Sequence, residues 1–193
     1  MKRYAGIFCL FLISTFLCRI GMYAQENKAL DAYEKSKGYY EKTRDVLLDS
    51  VEKCDTALQY LEQSRIALED SLQYSDYALT VQQREGRIRL KQDITMYRDY
   101  ITTLRSGYQS QQDAEENYEA RYYREAMSFY EEAIANFSNA LDSEWLKSAG
   151  QQVKDKEGDR ISALIHEIER RRSLAERMIW YKGRGATRYE EGK

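Results

Sequence analysis

From Leu47 onward, apolar residues recur at every third and fourth place: Leu47, Val51, Cys54, Leu58, Leu61, Leu68 and Leu72, with Arg65 the one polar member of the series. That spacing lays a stripe along one face of a helix. Asp49, Glu52, Lys53, Glu62, Gln63 and Glu69 fall between, where a wet face would lie. Leu30, Tyr33 and Tyr40 extend the register upstream, and Leu79 extends it downstream. The pattern predicts one helix from about Asn27 to Gln83, with Gly38 its weak point. At about 1.5 Å per residue it would be roughly 85 Å long. A stripe of that length needs a partner helix to cover it.

The partner comes next in the chain. Arg84-Glu85-Gly86 reads as the break, because glycine tolerates a left-handed helix cap. The spacing then resumes with Leu90, Ile94, Tyr97, Ile101, Leu104 and Tyr108, which predicts a long coiled-coil-like hairpin over residues 25–111. Gly107 falls inside the second helix, where it costs about 1 kcal/mol relative to alanine. A further helix is expected from near Asp159, within a C-terminal segment 150–182. Its apolar face is Ile161, Leu164, Ile165, Ile168, Ala175, Met178 and Ile179. Arg170, Arg171, Arg172 and Arg177 occupy its second half, where cations suit the helix dipole. Periodicity is lost over residues 183–193, which read as a flexible tail. The fold class is therefore all-α.

Composition agrees. The 193 residues include no proline and ten glycines, too little punctuation for a turn-rich β-sandwich. Apolar residues make up 42% and charged residues 32%, a mixture too apolar for a disordered chain and too polar for a multi-span membrane protein.

Residues 1–24 read as a secretory signal peptide. Lys2 and Arg3 precede fifteen uncharged residues, Tyr4 to Cys18, and small Ala24 follows. The expected cut lies between Ala24 and Gln25, although Met22 and Arg19 fit the approach imperfectly. A lipoprotein cut before Cys18 is disfavoured by Thr15, Phe16 and Leu17. An uncleaved anchor is the alternative, but fifteen residues fall short of the roughly 20 that span a bilayer. Membrane attachment is expected only if this segment is retained; otherwise the protein is periplasmic or held in the cell envelope. Cleavage removes three basic residues and no acid, leaving 27 basic against 32 acidic residues, a net charge of −5. Such a chain has no electrostatic reason to bind nucleic acid.

Little catalytic material is present. Cys9 and Cys18 leave with the signal, so Cys54 remains alone and no disulfide forms within the chain. Its place in the seam points to a buried apolar side chain. His166, the one histidine, reads as a surface residue. Glu115, Glu116, Glu131 and Glu132 form adjacent pairs that a glycosidase could use, yet such pairs on helices are far more often solvated. No phosphate loop, nucleophile elbow or metal-ligand spacing occurs. The expectation is a protein that is not an enzyme, with no cofactor and no metal.

Asn117 to Ala135 reads NYEARYYREAMSFYEEAIA. It resembles the tetratricopeptide repeat, a helix-turn-helix unit of about 34 residues. The likeness covers about residues 112–140, within a segment 112–149. Tyr118 corresponds to a late position on the first helix, and Arg121 falls in the turn where the family usually carries glycine. Tyr123, Ala126, Tyr130, Ala133 and Ile134 match the second helix, whose alanines admit a neighbouring helix. The family's early tryptophan and closing proline are missing, and no second clear copy is present.

That resemblance implies a protein or peptide partner, since the family mostly mediates association. Tyrosine is abundant, with 17 in the chain, and it is a residue of interfaces. Tyr97, Tyr108 and Tyr130 fit helix seams by spacing. Tyr118, Tyr122, Tyr123, Phe129 and Tyr130 are the candidate partner-binding residues; Tyr122, Tyr123 and Phe129 cannot all face one side. The expected role is an exported, non-catalytic helical scaffold. The alternative is a coiled-coil rod that self-associates, as a homo-oligomer, within an envelope assembly.

Overall fold

The computed structural model describes residues 27–74 and 79–191, with side chains to residue 184. The proposed signal peptide, its cut, Cys9 and Cys18 lie outside the described residues. The fold is all-α, and no strand occurs among the described residues. Helix α1 covers 27–44, α2 Val51–Leu72, α3 Val81–Glu119, α4 Tyr123–Leu141, α5 Glu144–Ser148 and α6 Gln151–Glu191. Among the described residues no helix is long and apolar enough to cross a membrane. The described residues divide into two compact units, 27–45 with 59–74 and 79–94, and 46–58 with 95–191.

Three helix boundaries differ from expectation, each for a local reason. The first long helix breaks at residues 45–50, and Gly38 stays helical. Leu48 is buried there, and its carbonyl accepts hydrogen bonds from the Tyr108 hydroxyl (3.0 Å) and Arg160 Nη1 (2.6 Å), so it is not spent on a helix. The second break precedes Val81 and leaves Gly86 inside α3. Thr80 and Gln83 make a reciprocal capping box: Thr80 N donates to Gln83 Oε1 (2.9 Å) and Gln83 N to Thr80 Oγ1 (3.2 Å). That box outweighs the glycine, which lies against the Tyr33 hydroxyl. The third difference is α6, which starts eight residues before Asp159 and continues past Lys182 to Glu191, through the segment read as a tail.

The unit made of α1, the later part of α2 and the start of α3 is packed through small side chains. Ala29, Ser36 and Thr43 repeat every seven residues on α1 and are fully buried. Ser36 and Ser64 are fully buried opposite one another. Each hydroxyl donates to the other's backbone carbonyl at 2.8 Å. This reciprocal clasp satisfies both hydroxyls and brings the two backbones close. Leu61, Leu68, Leu90 and Ile94 supply most of the unit's larger apolar bulk.

The other unit is built around α3, α4 and α6. The predicted α3 seam is buried as read: Tyr97, Ile101, Leu104 and Tyr108 in this unit, after Leu90 and Ile94 in the first. On α4, Tyr123, Ala126, Tyr130, Ala133, Phe137 and Ala140 are buried in strict alternation of three and four. Ile161, Ile168 and Ala175 face the core from α6. Tyr97 and Tyr100 stack on Trp145 of the short α5 at 4.3 and 4.6 Å between ring centres. Ser143 caps α5 by accepting from Leu146 N at 3.3 Å.

Candidate functional site

The turn between α3 and α4 is set by Arg121, the only described non-glycine residue at positive φ (64°). Tyr122 N donates to Asn117 O (2.9 Å) and Arg121 N to Tyr118 O (3.0 Å), the bond pair that closes a helix with one left-handed residue. Glycine is the usual occupant of that position. For an L-residue the left-handed conformation costs about 1–2 kcal/mol.

This turn divides the five candidate residues. Tyr123 and Tyr130 are core: Tyr123 packs edge-on to Tyr118 at 5.2 Å, and Tyr130 is 2% exposed. Burial raises the Tyr130 hydroxyl pKa. Tyr118 and Phe129 are half-buried. Only Tyr122 stands out, 60% exposed. The five therefore do not form one surface.

Tyr122 borders a cleft of about 380 Å³ between the start of α4 and the far part of α6. Arg121, Arg124, Glu125, Ile179 and Lys182 share its wall. Lys182 spans the cleft floor: its Nζ donates to Arg121 O (3.0 Å) and sits 4.8 Å from the Tyr123 ring centre. Residues 121–125 and 179–182 meet because α4 and α6 run antiparallel in contact. The sequence marked the tyrosines but not the three cations, since pairing residue 121 with residue 182 depends on tertiary register.

The densest polar cluster lies elsewhere in the same unit. Arg160 Nη1 donates to Leu48 O and to the Tyr108 hydroxyl, both at 2.6 Å, and Nη2 to Glu157 Oε2 at 2.6 Å. Tyr100 donates to the same carboxylate oxygen at 2.9 Å. Burial pushes the Tyr100 and Tyr108 hydroxyl pKa values up; Glu157 adds to this for Tyr100, while Arg160 opposes it for both. Burial also works against the Arg160 charge, but Tyr108, Glu157 and Tyr100 outweigh it, so its pKa stands above the ordinary guanidinium value. Each group answers another within the cluster. Its evident work is to hold the 45–50 break in place.

Cys54 is free and fully buried. Burial pushes its thiol up to about 12, with Arg160 pulling the other way. His166 is exposed beside Glu169. The arginine run pairs with carboxylates: Arg170 with Glu167, Arg171 with Glu167 and Glu115, Arg172 with Glu131. These arginines lie mid-helix, so ion pairing to α3 and α4 replaces the dipole role, and it occupies Glu115 and Glu131, one member of each adjacent glutamate pair. Among the described residues no group of three or more His, Cys, Asp or Glu gathers as a metal site. Comparison of the chain with protein-family models, with curated proteins and with solved structures returns no match.

Proposed function

We propose that this chain is an exported, non-catalytic helical scaffold that binds a protein partner at the α3–α4 hairpin, a hairpin similar to a tetratricopeptide repeat. The observation that carries the reading is Tyr122, 60% exposed at the mouth of a cleft while Tyr123 and Tyr130 of the same hairpin are buried. A tyrosine ring held in water at a concave edge is typical of association surfaces. The tetratricopeptide likeness is supported by buried Ala126 and Ala133 on α4 and by a tight turn at Arg121. Export rests on the character of residues 1–24, and the intact mass of the native protein tests the cut after Ala24.

Photocrosslinking tests the partner. A benzophenone side chain at position 122, in cells or envelope fractions, is expected to give a discrete adduct that the same group at exposed Lys156 does not give. Adducts at neither position, or equally at both, would refute a partner seated at the hairpin.

A second reading, self-association, is favoured by exposed apolar residues on the unit that holds Ser36 and Ser64. There Ile66, Leu72, Val81 and Ile88 lie open to solvent. Light scattering decides: a concentration-independent monomer removes it.

A further inference from the structure

The wall of the cleft beside Tyr122 carries three cations against one carboxylate. In this unit Arg105, Arg160, Arg170, Arg171 and Arg172 are each answered by a carboxylate. Arg121, Arg124 and Lys182, like exposed Arg98 and Arg177, pair with no carboxylate among the described residues, but these three wall one cleft. Glu125 is the one acidic residue on that wall. This excess stands on a chain whose formal net charge is −2. An arginine also occupies the left-handed turn position, where glycine would relieve the backbone. Packing does not require its side chain, because Arg121 is exposed.

We infer that the cleft takes an acidic peptide segment of a partner protein, with carboxylates met by Arg121, Arg124 and Lys182 and an apolar side chain against Tyr122 and Ile179. This rests on the partner-binding reading and names the partner's chemistry. Arginine pairs carboxylates through two parallel hydrogen bonds, and a local cationic patch on an acidic molecule selects orientation as well as charge. The attraction falls with salt, since the cations are solvent-facing.

The test uses the full chain and a short fluorescein-labelled peptide alternating Glu and Leu, against the same peptide with Gln for Glu. Fluorescence anisotropy at low salt is expected to show the Glu peptide binding roughly tenfold tighter. The double variant Arg121→Gly with Arg124→Gln should weaken it by about the same factor. The same double variant should keep the parent's melting temperature or raise it, because Arg121 and Arg124 are exposed and glycine relieves the left-handed turn, so lost binding cannot be lost folding. No binding, equal binding of the two peptides, or binding indifferent to the double variant overturns the inference. So does co-sedimentation with phosphatidylglycerol vesicles that the double variant abolishes while the Glu peptide does not bind, which would assign the cations to lipid. If the peptide arm fails but the position-122 crosslink persists, the partner reading stands with a partner of other chemistry.

Discussion

Two glycines on long helices carry opposite expectations. A Cβ at Gly107 would lie 2.9 Å from Phe137 Cε1, an aromatic edge already fixed against Tyr108 at 5.0 Å between ring centres. At Gly158, on α6, a Cβ meets nothing within 4 Å. Gly107→Ala should therefore destabilise by about 1–3 kcal/mol through overpacking, although alanine is the better helix former. Gly158→Ala should stabilise by about 0.5–1 kcal/mol. Urea melts of the two variants check this; like signs would mean that Phe137 yields. Gly107 was conspicuous in the sequence as a helix-interior glycine, but its cause sits thirty residues away on α4. Arg160 follows the same logic with charge. Its side chain and that of Glu157 are only 20% and 18% exposed. Arg160→Met leaves Glu157 a largely buried carboxylate without its cation, and should cost about 3–5 kcal/mol.

At the scale of the element, α2 shows what periodicity can and cannot give. The predicted stripe held Leu47, Leu58 and Leu72, yet Leu47 is 53% and Leu72 45% exposed. The buried seam is Cys54, Ala57, Leu61, Ser64, Leu68 and Ser71, a three-four alternation half made of small residues. Counting large apolar side chains cannot see Ala57, Ser64 or Ser71; Ser64 is inside because it exchanges hydrogen bonds with Ser36 of α1, and the Ser71 carbonyl accepts from Arg87 Nη1 on α3. On α4 alanines alternate with aromatics, a pattern that announces the buried face through Tyr123, Ala126, Tyr130 and Ala133. The same pattern also offers Tyr123 and Tyr130 as binding residues, but the structure places both in the core. Leu61→Ala should cost about 2–5 kcal/mol, while Leu72→Ala should stay within about 0.5 kcal/mol. Equal losses in a chemical melt would restore the stripe as first read. Ala133→Trp, on the buried face of α4, should overpack the hairpin and lower the thermal midpoint by several degrees, unlike Glu132→Trp on its exposed face.

For the molecule as a whole, the sequence made the all-α class and the α3 seam legible, because both depend on local period. It could not place the cationic cleft or the Arg160 cluster, which join residues far apart in the chain. Those long-range contacts also shape stability against pH. Burial holds the Cys54 thiol near about 12 and raises Tyr100, Tyr108 and Tyr130 above ordinary phenols. An unfolded thiol ionises near about 8.5 and an unfolded phenol near about 10. Below the first of these both states keep their protons and the stabilisation is whole. As pH climbs, the unfolded chain sheds protons that the folded chain retains, and unfolding gains about 1.4 kcal/mol per pH unit for each such group. On the acid side Glu167 is held down to about 2 by hydrogen bonds from Arg170 and Arg171. Its contribution is present above about pH 4 and fades toward pH 2, and it is small because the group is solvated. Stability should therefore be level between about pH 5 and 8, and should fall far more steeply in alkali than in acid. Urea melts at pH 8, 9 and 10 on the parent chain and on Cys54→Ala isolate the thiol. The variant starts lower at pH 8 because a buried side chain has been trimmed, but its loss from pH 9 to 10 should be smaller by about 1.4 kcal/mol. Parallel curves would mean that water reaches the thiol, and with it the seam that Cys54 begins.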